Sequence, residues 1–182
     1  MHDSARTQLR LVLDTNVWLD WLVFDDPSVA PIKAAVAANG VEIFIDAACE
    51  AELARALGYD LKKFSLDAKA QGACLAECRR VARSIDSPVP EVARARLPAC
   101  RDPDDQKFLE AALFAGAEFL VTKDKALLEL APRAAHSAGN SAGKKRRALP
   151  FRIVTPEDFA GACDAIRSPA TPLRTPVSRS EG

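Results

Sequence analysis

Residues 9–19 read Leu-Arg-Leu-Val-Leu-Asp-Thr-Asn-Val-Trp-Leu, and this stretch decides the fold. Residues 11–13 form an uninterrupted apolar run, which is typical of a short strand buried on both faces. After the polar residues 14–16, apolar residues return with the spacing of a helix, at Val17, Trp18, Trp21 and Leu22. Asp14 therefore directly follows the first strand, at the edge where open α/β sheets place their ligands.

The rest of the chain repeats this strand-then-helix pattern. Short apolar runs predict further strands over residues 41–45, 119–121 and 151–154. Helical spacing predicts helices over residues 17–24, 29–39, 47–57, 66–85 and 105–115, with two more helices after residues 124 and 155. The proline-rich residues 86–104 are expected to be an extended connection with a short edge strand at Val92. Strands that alternate with helices predict a three-layer α/β/α sandwich around a central, mainly parallel sheet.

Composition sets the expected limits of the domain. The alternating pattern occupies residues 9–167, whereas residues 1–8 and 168–182 have little to bury, so we expect a flexible N-terminus and a disordered tail. Within the domain, residues 132–148 are rich in Ser, Gly, Lys and Arg, which predicts a long polar, basic loop.

Charge and hydropathy exclude some classes of function. The formal net charge is +0, so no global field attracts nucleic acid, and any such site must be a local patch. No apolar stretch is long enough to cross a membrane, and the first residues lack the apolar core of a signal peptide. We therefore expect a cytoplasmic protein with no membrane partner.

Cysteine and histidine are poorly placed for a soft metal site. The 5 cysteines are odd in number and scattered, which favours free thiols. Cys74 and Cys78 share one helical face, but no second pair completes a zinc site and the chain has only 2 histidines.

Four acids follow the predicted strands or begin the helices beside them: Asp14, Glu52, Asp105 and Asp124. Singly, each has a simple structural explanation, because carboxylates cap helix N-termini and glutamates occupy helix rims. Together, several ionised carboxylates at one sheet edge repel one another unless a cation compensates them. Mg²⁺ or Mn²⁺ is the natural cation for oxygen ligands, and such a site suits hydrolysis of phosphodiester bonds.

Four segments resemble, in order, those of the PIN domain (PilT N-terminus) family. They are Leu-Val-Leu-Asp14-Thr15-Asn16-Val, Glu-Ala-Glu52-Leu-Ala-Arg-Ala-Leu, Asp102-Pro-Asp-Asp105-Gln-Lys-Phe-Leu-Glu-Ala-Ala and Gly116-Ala-Glu-Phe-Leu-Val-Thr122-Lys-Asp124. The closing Phe-Arg-Ile-Val-Thr-Pro-Glu-Asp-Phe is also similar to the last strand and helix of PIN proteins classed as toxins. The resemblance covers residues 9–159, most of the chain.

The resemblance implies a metal-dependent endoribonuclease that cleaves RNA, often the toxin of a bacterial toxin–antitoxin pair. It further implies an antitoxin protein as partner and a homodimer. By position, the catalytic residues and ligands of Mg²⁺ or Mn²⁺ would be Asp14, Glu52, Asp105 and Asp124. Thr15, Asn16 and Thr122 would support these carboxylates through hydrogen bonds.

The third acid of the family pattern has more than one possible position here. The distance to Gly116 favours Asp105, and Asp102 is the alternative, whereas Asp104 is expected to cap the following helix. If Asp102 served instead, its carboxylate would join the supporting or ligating set.

Two further features could concern RNA. The cluster Lys144, Lys145, Arg146 and Arg147 either contacts RNA phosphates or is an ordinary solvated run. Trp18, Trp21 and Phe24 recur at helical spacing, which favours a place in the core or in a dimer interface over a platform for RNA bases.

Two alternative functions remain open from the sequence. One is a non-catalytic PIN-like module that binds RNA or a protein. The other is a phosphotransfer enzyme of the haloacid-dehalogenase kind with Asp14 as nucleophile. That chemistry needs a second Asp two residues later, where this chain has Asn16.

Overall fold

The computed structural model describes residues 8–59, 65–86, 90–131 and 149–167, apart from the side chains of residues 165–167. Three predicted segments lie outside the described residues: residues 1–7 of the N-terminal segment 1–8, the basic loop of residues 132–148 and the tail of residues 168–182. The cluster at residues 144–147 therefore stays a prediction. Within the described part, no helix is long and apolar enough to cross a membrane.

Five short strands form one sheet, and all neighbouring strands run parallel. In chain order they are β1 (Leu9–Leu13), β2 (Val41–Asp46), β3 (Ala82–Ile85), β4 (Phe119–Val121) and β5 (Arg152–Val154). Their order across the sheet is β3-β2-β1-β4-β5. β2 and β3 follow one another on one side of β1, and β4 and β5 follow one another on its other side. The strand order therefore reverses between β1 and β4.

Eight helices lie in the described part of the chain. They are α1 (Thr15–Leu19), α2 (Ala30–Ala37), α3 (Ala47–Leu57), α4 (Ala68–Val81), α5 (Glu91–Arg94), α6 (Gln106–Ala115), α7 (Lys125–Leu128) and α8 (Pro156–Arg167). A π-helical turn, Asp20–Phe24, continues α1, and short 3₁₀ turns precede α2 and α6. Helix α6 packs on β1 and β2, while α2 and α8 pack against each other.

The core occupies both faces of the sheet. Residues 11–13 of β1 and all three residues of β4 are buried, and consecutive strand residues point to opposite faces. Helices must therefore cover both faces, which confirms the predicted three-layer α/β/α sandwich. None of the five cysteines forms a disulfide bond, as predicted.

Two local predictions are wrong. Residues 82–85 end the predicted helix 66–85, but they form the edge strand β3, in which Ala82 pairs with Ile43 of β2. The helical spacing of residues 66–81 continues in the sequence through residue 85, because the partly exposed edge strand has no long apolar run of its own. Its pairing with β2 depends on residues that are distant in the sequence. Val92 was expected in an edge strand but lies in α5 and is exposed, because Pro90 favours the start of a helix.

The aromatic residues after β1 divide between core and surface. Trp18 is fully buried, and its ring centroid lies 5.9 Å from that of the half-buried Trp21. Phe24, at the end of the π-helical turn, is exposed. A single chain does not test the predicted homodimer, which stays a prediction.

The burial of β1 can be tested with a pair of matched substitutions. Val12 is 1% exposed and Val92 is 73% exposed. We expect Val12→Ala to lower the free energy of unfolding by about 2 kcal/mol, because it removes two buried methyl groups and leaves a cavity. Val92→Ala should change it by less than about 0.5 kcal/mol. Urea denaturation measures both, and equal effects would contradict the described burial.

Candidate active site

The four predicted acids meet in one cleft at the carboxyl edge of the sheet. The cleft has a volume of about 600 Å³. It lies beside the ends of β1 and β4, where the strand order reverses, which is the usual ligand position in such sheets. Its lining is dominated by acidic and polar side chains: Asp14, Thr15, Asn16, Leu19, Glu52, Arg55, Ala56, Tyr59, Asp102, Asp104, Asp105 and Asp124.

Asp14 is the most deeply held of these acids. It is 4% exposed, and its backbone N–H donates to the carbonyl of Val121 at 3.0 Å, which extends the pairing of β1 with β4. The buried Thr122 hydroxyl donates to Asp14 Oδ2 at 2.6 Å, and the Asn16 backbone N–H donates to Oδ1 at 3.3 Å. Asp14 therefore caps α1 and also links the end of β1 to the end of β4 through hydrogen bonds.

Glu52 reaches the cleft from α3. Helix α3 buries Cys49, Leu53 and Leu57, and Glu52 lies at the border of that apolar stripe. The Thr15 hydroxyl donates to Glu52 Oε1 at 3.0 Å, and Lys107 of α6 forms an ion pair with Glu52 Oε2. These two partners direct the carboxylate toward the end of β1.

Asp124 and Asp105 complete the acidic group. Asp124 caps α7, since its Oδ1 accepts the Leu127 backbone N–H at 3.0 Å, and its own N–H donates to Thr122 Oγ1 at 2.9 Å. Asp105 precedes α6 and makes no capping hydrogen bond with its side chain. Its carboxylate is thus the one of the four that is not used as a helix cap or in an ion pair with a described residue.

The electrostatics of the cleft disfavour full ionisation of its acids. Burial raises the pKa of the Asp14 carboxyl above its usual value, against the lowering effect of the bonds from Thr122 and Asn16. Burial also raises the pKa of Asp105 to about 6, and the charges of Asp124, Asp102 and Asp14 add to the effect. The cleft therefore holds more negative charge than its own cations balance.

The other predicted positions have mixed outcomes. Thr15 and Thr122 support carboxylates with their hydroxyls, whereas Asn16 does so with its backbone N–H and its side chain is exposed. Asp104 does not cap the helix, because the cap of the 3₁₀ turn before α6 is Asp102, whose Oδ1 accepts the Asp104 N–H at 2.9 Å. Pro103 occupies the first position of that turn, so the cap lies at Asp102, two residues before Asp104.

Sequence reasoning missed three residues of this region. Arg55 and Tyr59 line the cleft, and Lys107 pairs with Glu52. The spacing of three and seven residues from Glu52 was the available signal for Arg55 and Tyr59, because such residues share a helix face. Nothing in the local pattern indicates Lys107, since its partner lies on another helix.

The profile of the PIN domain family matches residues 10–126, which include all four acids. The chain belongs to the PIN domain family. Members of this family are generally nucleases that use divalent metal ions. The predicted resemblance is thereby confirmed for the family as a whole.

Solved structures share the PIN fold with this chain at low sequence identity. VapBC2 from Rickettsia felis, solved bound to a DNA fragment from their promoter, contains a chain with a TM-score of 0.53 and 15% identity, covering 81% of this chain and 98% of that one. PAE2754 from Pyrobaculum aerophilum gives a TM-score of 0.50 and 15% identity, covering 91% and 96%. At this identity the likeness shows the fold alone. Comparison with curated proteins gives no significant match.

The cleft of this PIN domain has suitable chemistry for a divalent ion. Its donors are carboxylate and hydroxyl oxygens, which are the ligands that Mg²⁺ and Mn²⁺ prefer. Six acids and one arginine line the cleft, so a cation would compensate a surplus of negative charge. Among the described side chains, however, no three acidic, histidine or cysteine residues already converge on one point.

The buried bond between Thr122 and Asp14 can be tested by changing the hydroxyl. Thr122→Val leaves an oxygen of Asp14 and the N–H of Asp124 without their partner. We expect it to lower the free energy of unfolding by about 2 kcal/mol, because a buried oxygen of Asp14 and a partly buried N–H lose their hydrogen bonds. Thr122→Ser keeps the hydroxyl and should cost less than half as much. Urea denaturation of both variants measures the difference, and an equal loss would show that the methyl group matters and the hydrogen bond does not.

Burial of the Asp105 carboxylate, together with its acidic neighbours, predicts a pH-dependent gain in stability when its charge is removed. Its pKa of about 6 in the folded chain exceeds the ordinary 3.8, so the folded protein binds this proton more tightly and loses stability as pH rises from about 4 to about 6. In EDTA at pH 7.5, we expect Asp105→Asn to raise Tm by about 3 °C, a value already reduced for solvent screening. At pH 4 the gain should vanish.

Asp104→Asn is the matched control, because Asp104 is the adjacent acid and is exposed. Thermal unfolding followed by circular dichroism measures all three proteins. A gain for Asp105→Asn that is the same at both pH values would contradict the electrostatic explanation.

Proposed function

We propose that this protein is a Mg²⁺- or Mn²⁺-dependent endoribonuclease. The observation that carries the proposal is the cleft at the sheet edge, where Asp14, Glu52, Asp105 and Asp124 come together from four separate segments. Membership of a family that generally consists of metal-using nucleases supports it. RNA as the substrate is the finer part of the proposal and follows from the resemblance described above.

In the proposed mechanism, the four carboxylates hold one or two divalent ions. The chemistry that a bound ion supplies is activation of water for attack on phosphorus and stabilisation of the leaving oxygen. The chain itself positions the ligands. Thr122 and the Asn16 N–H fix Asp14, Thr15 fixes Glu52, and the cap of α7 fixes Asp124.

Lys107 supplies a cation in the absence of metal. Its ammonium group pairs with Glu52, and both side chains are largely buried, at 16% and 26% exposure. The pair directs the Glu52 carboxylate into the cleft. Asp105, which lacks such a partner among the described residues, is the carboxylate with most freedom to reorient toward an ion.

We further propose that the protein is the toxin of a toxin–antitoxin pair. The closing strand and helix, which resemble those of PIN toxins, support this role and contribute β5 and α8. The partner would be an antitoxin protein encoded beside it.

Cleavage of RNA is the direct test of the nuclease proposal. We expect the purified protein to cleave single-stranded RNA with Mn²⁺ or Mg²⁺ and to lose this activity in EDTA. Asp14→Asn should lower the rate at least about 100-fold, because it removes a charged ligand from the cleft. Asp164→Asn, which changes an exposed acid on α8, is the matched control and should cleave at the normal rate.

Calorimetric titration with Mn²⁺ separates the catalytic proposal from its alternative. Wild type should bind the ion, and Asp14→Asn should bind it more weakly while keeping its Tm within a few degrees. Binding of RNA with neither metal binding nor cleavage would instead favour the non-catalytic RNA-binding module.

Growth of bacteria tests the toxin role. Induced wild-type protein should arrest growth, and Asp14→Asn should not. Co-expression of a small protein encoded next to this gene should restore growth. Nuclease activity without growth arrest would remove the toxin role and leave the enzyme.

A further inference from the structure

Helix α3 presents a continuous stripe to the cleft. Its buried stripe is Cys49, Leu53 and Leu57. The neighbouring stripe, with the spacing i, i+3, i+4 and i+7, lines the cleft and consists of Glu52, Arg55, Ala56 and Tyr59. Tyr59 lies just past the end of the helix but keeps its place in the stripe, because its N–H donates to the Ala56 carbonyl at 3.2 Å. The stripe therefore runs from a proposed metal ligand outward to the rim.

Arg55 is the one cation that lines this cleft within the part of the chain that the structure describes. Six acids share the lining with it, yet its guanidinium makes no ion pair with any of the described residues. Lys107 pairs with Glu52 and Lys123 lies 2.6 Å from Asp20, whereas Arg101 lines a separate, adjoining pocket. An arginine that faces an acidic cleft without pairing to it has its fork of N–H donors available for a phosphate.

Tyr59 adds a flat surface next to this cation. Its side chain is 65% exposed, although it is among the largest apolar groups of the described chain. Seven residues separate it from Glu52, which corresponds to about 10 Å along a helix axis. Such a ring lies beyond the acids and far enough from them to meet a neighbouring nucleotide.

We propose that Arg55 and Tyr59 bind the nucleotide next to the scissile phosphate of a single-stranded RNA. Arg55 contacts its phosphate, and the ring of Tyr59 stacks on its base. Stacking requires an unpaired base, which agrees with the single-stranded RNA of the proposed function. The inference rests on the proposed nuclease function and adds to it the path that the substrate takes.

The negative charge of the cleft explains why RNA binding there would need Arg55. The carboxylates repel the phosphate backbone, so substrate affinity requires a cation outside the ligand set. Arg55 meets that requirement from the same helix as Glu52, which fixes the distance between the two. A purely structural role is the competing explanation, because a cation in the last turn of α3 also stabilises the helix.

The experiment measures RNA affinity in full-length protein that carries Asp14→Asn to prevent cleavage. Fluorescence anisotropy follows binding of a short labelled oligoribonucleotide of mixed sequence in Mn²⁺ over a salt series. We expect Arg55→Gln to weaken binding roughly tenfold and to reduce the slope of log affinity against log salt by about 1. Tyr59→Ala should weaken binding roughly tenfold, whereas Tyr59→Phe should bind like the parent.

Two other arginines serve as controls. Arg80 lies on α4 and pairs with Glu77, so Arg80→Gln should bind like the parent. Arg101 lines a smaller adjoining pocket that also contains Asp105 and Asp124. A loss of affinity in Arg101→Gln with none in Arg55→Gln would overturn the proposal, because the RNA would then leave the cleft on the other side.

Kinetics and stability complete the test in the wild-type background. Arg55→Gln and Tyr59→Ala should raise KM for RNA with little change in kcat, and calorimetry should show unchanged binding of Mn²⁺. If Arg55→Gln lowers Tm, Arg55→Lys keeps the charge and should recover most of the affinity. A lower Tm with unchanged RNA affinity would establish the structural explanation instead.

Failure of this inference differs from failure of the proposed function. If wild type cleaves RNA and both Arg55→Gln and Tyr59→Ala keep its affinity and KM, the proposed RNA contacts are wrong and the nuclease proposal is unaffected. If wild type neither binds nor cleaves RNA in Mn²⁺, both proposals are wrong.

Discussion

The hydrogen bond from the Thr122 hydroxyl to Asp14 is the interaction on which the site depends. It joins the ends of β1 and β4, the two strands between which the strand order reverses, and both residues are buried. The same hydroxyl accepts the N–H of Asp124, so one oxygen sets the positions of two acids. Burial makes this arrangement costly to disrupt, because neither partner can turn to water.

The central strands and the acids could be predicted from the sequence because their signals are local. The apolar runs of β1, β2 and β4 are short and uninterrupted, as strands buried on both faces must be. Each acid follows a strand or begins a helix, so the parallel topology was enough to bring Asp14, Asp105 and Asp124 to one edge. Glu52 could be assigned to the site only through the family resemblance, because a glutamate at the border of an apolar helix stripe is usually just exposed to solvent.

The remaining features depend on contacts that no local pattern contains. Strand β3 exists because Ala82–Ile85 can pair with β2, and its ion pair between Arg83 and Glu42 joins residues far apart in the sequence. The ion pair of Lys107 with Glu52 is equally non-local, because it forms only when α3 packs against α6. The cap at Asp102 differs in kind. It was a local feature, but three neighbouring acids competed for it and the fixed backbone of Pro103 decided between them.

The scattered origin of the four carboxylates has a consequence for synthesis of the chain. Asp14 and Glu52 leave the ribosome early, but Asp105 and Asp124 come from the later segments around α6 and α7. Parallel pairing of β1 with β4 spans more than a hundred residues, and contacts of such separation form late in folding. A nascent or truncated chain that ends before residue 105 therefore contains only two of the four acids and an incomplete cleft. Any chemistry that requires all four acids therefore begins only after the segment that carries Asp124 and α7 has been made.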